Sequence, residues 1–479
     1  MEVLSTVVQF ILSFGAAVFM PIVMFIFGKV VGMKNEDAFI AALTLGVAFT
    51  GMNMLTGFMT GAIQPAAEGL ATKTGITLPT IDTGWPAMSA IAWAWPFGVL
   101  CFPLLIVINL IMIVTNQTET LNVDLWNCWN LLFTAVLINY FCRQAGMADG
   151  LALALAFVGA GIQVVLGLKQ GDAVGPTVEK LVGIPGVTVP HSMALTMAVL
   201  YPFEKIMEQI PFIENNQMDA RWLRDHLGIF GENTVMGLII GTILGLVAYW
   251  DGGNLFGAWV DGSFVGGTLH QALTLGIQAA TAMNLFPVVS KLFMQALSPI
   301  SDAVGEWMKS KVGEGRNLYI GLDWPIVAGS NELWVLTILL IPVEIILAIV
   351  LQPFGNTVLP FAGIVNICLA VPCLFLAEGN LLKMIILGII GTPFYLLCSS
   401  SWAPACTELA KTYSPASVEG IESITWSTPE CPDWRTAISH ALAGNPIGIV
   451  AVIIWLGLFV LTMREFAKRN EVIKAELGR

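Results

Sequence analysis

An all-α membrane protein, with about 11 transmembrane helices in a 5+5 inverted repeat around two re-entrant hairpins, is what composition, run length and internal similarity predict for this chain. Of its 479 residues 56% are hydrophobic and 11% charged, against roughly a quarter charged in an ordinary soluble domain. Single soluble cores stop growing near ~250 to 300 residues, so apolar content on this scale, with a mean hydropathy of +0.79, belongs in lipid. The second observation is a succession of apolar runs close to the ~20 residues that a ~30 Å hydrocarbon layer requires. The third is a pair of Asp-containing, Trp-Pro interruptions at corresponding places in the two halves.

The first five spans are predicted at Val3 to Phe27, Ala38 to Ile63, Trp95 to Thr115, Leu125 to Phe141 and Gly150 to Leu168, forming a first repeat over residues 1–168. A polar stretch of about sixty residues, 169–228, reads as a connecting segment with amphipathic helices on the cytoplasmic side. A second repeat over 229–398 holds spans at Asn233 to Trp250, Phe264 to Leu285, Leu333 to Leu351, Leu359 to Leu376 and Leu381 to Cys398. Residues 399–445 read as an external loop, and 446–479 as a last span, Ile447 to Met463, with its tail. The tail carries Arg464, Lys468, Arg469, Lys474 and Arg479, whereas no Lys or Arg precedes the first span. Basic residues mark the cytoplasmic side, so the N-terminus is predicted outside and the C-terminus inside. Glu2 and the lack of a small-residue cleavage site make the first run a span, not a removable signal peptide. The net charge of −12 and the absence of a basic tract argue against a nucleic-acid partner. The Cys residues show no metal-ligand spacing; Cys406 and Cys431 in the predicted external loop have the option of pairing.

Span two is followed by Ile81-Asp82-Thr83-Gly84-Trp85-Pro86, and span seven, its counterpart, by Gly321-Leu322-Asp323-Trp324-Pro325. Each continues into an apolar stretch too short to cross the bilayer, giving hairpins near 81–94 and 319–331. Pro removes a backbone donor and Gly loosens the helix, so backbone groups are freed, which membrane depth tolerates only where they face protein or water. Such a backbone can hold a polar solute. The competing reading is two external Trp-Pro turns, each with a solvated Asp.

Charged and amide groups in or beside spans are functional candidates, because lipid penalises them. The run Asn122-Val123-Asp124-Leu125-Trp126-Asn127-Cys128-Trp129-Asn130 interleaves amides with indoles, as a carbohydrate site does and as an interfacial aromatic belt also does. Glu232 opens span six, where helix capping explains a carboxylate equally well. His191 follows Pro190 ahead of an apolar stretch, as a packing residue or a ligand. Glu344 lies unexplained inside span eight. No H-E-x-x-H, nucleophile elbow or phosphate loop is present, which excludes the familiar intramembrane protease and ATP-driven pump signatures.

In this order Ile81 to Pro86, Asn122 to Asn127, Pro190-His191, Phe230-Gly231-Glu232, Ile320 to Asp323 and Val358-Leu359-Pro360-Phe361 resemble the galactitol-type enzyme IIC permeases of the bacterial phosphotransferase system, in the ascorbate-galactitol superfamily. The resemblance covers nearly the whole chain. It implies a homodimer in the bacterial inner membrane, each protomer joining a core that holds the substrate between two hairpins to a V-shaped dimerisation domain, with elevator-like movement. It further implies soluble partners: IIA and IIB relay a phosphoryl group from phosphoenolpyruvate, and a IIB phosphocysteine delivers it to the polyol, so the permease itself is no enzyme and needs no cofactor or metal. By motif position Gly51, Asp82, Trp85, Asn127, His191, Glu232 and Asp323 are expected to line the substrate site. The chain departs from the family pattern at Asn130 and Ser192, where a His and a Gly are usual, and at the inserted Trp324. Two other functions fit the architecture: an ion-coupled secondary transporter using Asp82 or Asp323, and a membrane-embedded transferase using Glu232 and His191.

Overall fold

The computed structural model describes residues 10, 16–74, 78–124, 128–216, 218, 232–250, 252–311, 318–360, 365–413 and 421–476. Helices dominate, and each predicted apolar run overlaps one. In chain order they are α1 (Ala16–Val30), α2 (Asn35–Thr74), α3 (Gly84–Ala94), α4 (Cys101–Val114), α5 (Cys128–Gln144), α6 (Asp149–Val182) and α7 (Met197–Met207). After a single turn at Pro211–Glu214 follow α8 (Asn233–Tyr249), α9 (Thr268–Lys311), α10 (Asn331–Val350), α11 (Ile367–Ala377), α12 (Leu381–Tyr413), α13 (Pro432–Leu442) and α14 (Pro446–Glu476). Among the described residues 5 helices, α6, α9, α10, α12 and α14, are long and apolar enough to cross a membrane. Val18, Ile22, Ile26 and Val30 on α1, and Ile447, Val450, Ile453 and Ile454 on α14, are exposed large hydrophobics. A stripe of that kind on a helix surface is stable only against lipid or a partner.

The packing falls into two groups. Helices α1, α2, α8 and α9 pack on one another. Gly237, Gly241 and Gly245 on α8 allow the closest approach: a Cβ there would come within 2.6 Å of Ala280, 2.9 Å of Gly276 and 2.5 Å of Ala272 on α9. Small residues at four-residue spacing are how helices meet closely in lipid. The second group contains α3–α7 and α10–α14, and the two groups join where Phe286 of α9 stacks on fully buried Trp334 of α10, ring centroids 3.4 Å apart.

Short parallel strands lie inside the second group. β2 (Thr120–Asn122), β6 (Tyr319–Gly321) and β3 (Val187–Thr188) form one sheet with β6 in the centre, and β1 (Ile81–Asp82) pairs with β7 (Ile424–Thr425). Thr80, just before β1, also bridges Val358 in parallel. The pairing is reciprocal. The strand of the first hairpin is flanked by the segments after spans eight and ten, and the strand of the second by those after spans three and five. A separate antiparallel pair, β4 (Gly257–Val260) and β5 (Ser263–Gly266), forms an exposed ribbon between α8 and α9.

This pairing alters three expectations. Both Trp-Pro segments begin as strands; the first continues as α3 and the second as a 3-10 turn over Trp324–Val327. The stretch 169–228 is not all connector: α6 continues to Val182, and Val187, Val189, Met193 and Ala194 are buried in the core. Nor is 399–445 an external loop. α12 runs on to Tyr413, β7 pairs with β1, and Trp434 and Arg435 of α13 are fully buried. The cause is backbone accounting. A two-residue strand in an apolar interior has N–H and C=O groups on both edges that must be paired, and these polar segments supply the partners. Cys406 and Cys431 are both buried and free, with no disulfide.

Candidate functional site

Parallel neighbours deliver the residues that follow them to one end of a sheet. From β2 the chain reaches Asp124, whose N–H donates to Asn122 Oδ1 at 3.0 Å; from β6 it reaches Asp323; from β3 it passes Val189-Pro190 to His191. Asp124, His191 and Asp323 accordingly bring ligand atoms within 4.8 Å of one another. The sheet can sit this close to α6 because Gly167, Gly171 and Gly175 face it: a Cβ would come within 3.0 Å of Pro190 O, 2.9 Å of Thr120 Oγ1 and 2.8 Å of the Tyr319 ring respectively.

His191 stands between carboxylates. Its Nε2 lies 3.5 Å from Asp323 Oδ1 and its Nδ1 3.5 Å from Glu430 Oε2, with the Met193 N–H also at 3.5 Å from Nδ1, the outer limit of a hydrogen bond. Burial lowers the affinity of the ring for its second proton, but the charges of Glu430, Asp323 and Asp124 outweigh it and hold the pKa above its usual 6.5. The carboxylates favour the charged ring, in which Nδ1 donates toward Glu430 and no longer accepts from the Met193 N–H. Glu430 Oε2 also accepts from Ser192 Oγ at 2.6 Å.

Asp82 occupies the equivalent end of the other strand pair. Its Oδ1 accepts from the N–H groups of Gly84 and Ser427, both at 3.1 Å, and its Oδ2 from Ser427 Oγ at 2.6 Å. Asp82 therefore braces the first hairpin against the chain after β7, which three residues later supplies Glu430. Trp85 is half exposed and begins a row of tilted indoles, 6.0 Å from Trp129, which is 5.6 Å from Trp426.

Of the expected residues, Asp323 and His191 are brought together directly, while Asp82 and Trp85 lie on the adjoining strand pair and α3. Gly51 sits on α2, where a Cβ would meet Val289 of α9 at 3.2 Å, so its described contact is helix packing. Glu232 is exposed at the N-cap of α8, its C=O accepting from the Met236 N–H at 2.8 Å. Asn127 lies outside the described residues. Two residues went unforeseen. Glu430 had one sequence signal, the prolines at 429 and 432 on either side of it, and Arg435 had none. Arg435 is completely buried: its Nε donates to Thr134 Oγ1 at 2.8 Å, its Nη2 to Asn130 Oδ1 and O at 3.3 Å, and its guanidinium lies 4.9 Å over Phe133.

A cavity of about 50 Å³ opens beside this cluster, lined among others by Asn122, Asp124, Asn130, Gln163, His191 and Ser192. Two amides on its wall have atoms without a hydrogen-bond partner among the described residues, Asn130 Nδ2 and Gln163 Oε1. The Asp124-His191-Asp323 spacing would admit a metal ion, and the same acceptors and ring can equally hydrogen-bond hydroxyl groups. A larger groove of about 550 Å³ between α12, α13 and α14 is mostly apolar, and its Asp433 is already engaged by Thr196 and Trp455.

The family description for PTS system sugar-specific permease components, EIIC-GAT, matches residues 10–417. The chain is 29% identical to the galactitol-specific EIIC component of the PTS in Escherichia coli strain K12, over 98% of this chain and 100% of that protein. The corresponding protein of E. coli O157:H7 matches equally well. A putative permease IIC component of strain K12 is 28% identical over 96% of this chain and 99% of its own length.

Proposed function

The chain belongs to the EIIC-GAT family of sugar-specific permease components of the phosphotransferase system, and from that premise we propose that it carries a hexitol, galactitol or a close stereoisomer, across the bacterial inner membrane. As in the family generally, the permease component translocates and the IIA and IIB proteins transfer the phosphoryl group. The observation that carries the choice of site is the convergence of Asp124, His191 and Asp323, with Glu430 behind them, at the ends of parallel strands and beside a small cavity. Carboxylates accept hydrogen bonds from hydroxyls, the imidazolium donates one, and the Trp85-Trp129-Trp426 row offers faces for C–H edges. A few convergent polar groups on an otherwise apolar wall is how small solutes are oriented.

Reciprocal strand pairing supports the inverted repeat, with each repeat extended by its polar segment: the chain to Met207 and the chain from Asn233 to Leu442 exchange equivalent strands around the two hairpins. A two-fold relation of this kind would put the substrate between oppositely oriented hairpins. Helices α1, α2, α8 and α9 would then be the dimerisation domain and the rest the moving core. The orientation reading is supported by ion pairs that gather the basic ends of several elements: Lys180 with Glu476, Lys205 with Glu465, Arg469 with Glu204 and Lys383 with Glu214. All of these lie at ends assigned to the cytoplasm, with the C-terminal tail. A cavity of about 50 Å³ holds one or two waters, so a hexitol enters only when the walls part.

The test is binding. Isothermal titration of the detergent-purified protein with galactitol, D-mannitol and D-glucitol is expected to give heat with at least one hexitol. Asp323→Asn should weaken that hexitol about tenfold or more, the loss of a charged hydrogen bond in a buried site. Equal affinity in Asp323→Asn and wild type would remove this cluster from the site.

A further inference from the structure

The cavity wall and the cluster beside it carry several carboxylate acceptors, Asp124 on the wall and Asp323 and Glu430 beyond His191. Asp124, Asp323 and Glu430 are acceptors when ionised, so they read the hydroxyl hydrogens of a polyol and little else. A polyol hydroxyl also has lone pairs, and stereoisomers differ in where those point. Donors at chosen places, besides His191, help to tell one isomer from another.

Asn130 can supply one, provided its amide faces the right way. An amide can be turned by 180° with almost no change of shape, so its direction must be dictated by neighbours. Here the neighbour is Arg435, a group that only donates. Its Nη2 lies 3.3 Å from Asn130 Oδ1, and turning the amide would set N–H against N–H in a fully buried place. Arg435 cannot yield, because its Nε is bonded to Thr134 Oγ1 at 2.8 Å and its plane lies near the Phe133 and Trp402 rings. The Nδ2 end of Asn130 is left on the other side of the amide, at a residue that lines the cavity and is 3% exposed, without a hydrogen-bond partner among the described residues. A buried donor left unpaired costs free energy that a ligand can recover.

We propose that Arg435 is a positioning residue that locks the Asn130 amide as a hydrogen-bond donor into the cavity, and that this donor, reading a hydroxyl lone pair, is a specificity determinant among hexitol stereoisomers. The inference rests on the site reading of the preceding subsection. It assigns a role to the segment after Tyr413, which sequence alone makes a loop. Replacement of Arg435 by a residue able both to donate and to accept releases the amide; replacement of Asn130 by its isosteric acid removes the donor while keeping the bond to Arg435.

Full-length wild type, Asn130→Asp and Arg435→Gln are titrated with galactitol, D-mannitol and D-glucitol, and the thermal midpoint of each unliganded protein is recorded alongside. Asn130→Asp is expected to weaken the tightest hexitol about tenfold, to compress the differences among the three, and to leave the unliganded midpoint nearly unchanged. Arg435→Gln should give the same compression with a smaller loss; where that variant does not fold, Asn130→Asp decides alone. The proposal is overturned when Asn130→Asp keeps all three affinities within twofold and in the same order. It is also overturned when all three fall equally together with the unliganded midpoint, the mark of a merely structural role. Wild type binding none of the three would instead bring down the site reading, and this inference with it, whereas wild-type binding with an indifferent Asn130→Asp sinks the inference alone.

Discussion

Burial and Arg435 work against a charge on His191 and three carboxylates outweigh them, which gives its stability contribution a direction with pH. A folded-state pKa above the usual 6.5 means that the charged ring stabilises the fold. That contribution is complete below about pH 6.5 and is lost as pH rises through the folded value. Thermal midpoints in detergent are thus expected to fall for wild type between about pH 6 and pH 9, and His191→Gln should flatten that part of the profile; identical slopes in the two proteins would show that the ring is not charged by its neighbours. His191 and Asp323 were legible because each stands in a short motif whose chemistry is odd for lipid, a Pro-His before an apolar run and an Asp before Trp-Pro. Gly51 was expected from motif position and Glu232 from motif position and its charge at the start of span six, and neither makes a described contact with the cluster. Glu430 and Arg435 were hidden for a physical reason: their neighbours are hundreds of residues away in the chain, and nothing local distinguishes a solvated loop charge from a buried one.

At the level of elements, the Asp124-His191-Asp323 cluster exists because strand ends and a glycine face meet. Thr120 cannot move away from α6, since its hydroxyl donates to Asp172 Oδ1 at 2.9 Å, an oxygen that also accepts from Thr118 Oγ1 at 2.7 Å and the Glu119 N–H at 2.9 Å. A methyl group at position 171 would press on Thr120 Oγ1 at 2.9 Å and on the Pro190 Cβ at 3.0 Å. Gly171→Ala is therefore expected to cost about 1–3 kcal/mol, the usual range for overpacking, and to weaken hexitol binding by shifting Pro190-His191. Gly150→Ala, where a Cβ meets nothing within 4 Å, is the control and should be neutral in both thermal unfolding and titration; an equally neutral Gly171→Ala would contradict the seating of the sheet on α6. The apolar helices were legible from run length. The strands were not, since two or three residues carry no period, and their pairing with polar segments is a tertiary event that draws in what looked like connector and loop.

For the whole molecule, two groups of helices enclose short parallel strands whose pairing is reciprocal between the two hairpin segments. The family resemblance read from ordered motifs is matched by the family description over residues 10–417. Membership in a phosphotransferase family assigns phosphoryl transfer to the IIA and IIB proteins. The most direct measurement is uptake of radiolabelled galactitol, or of whichever hexitol the titration selects, into right-side-out membrane vesicles bearing this chain and loaded with its IIA and IIB partners. With phosphoenolpyruvate inside, label is expected to accumulate as the hexitol phosphate, and without it or without IIB no accumulation should occur. Free, unmodified hexitol concentrated under an ion gradient in the absence of phosphoenolpyruvate would contradict the account.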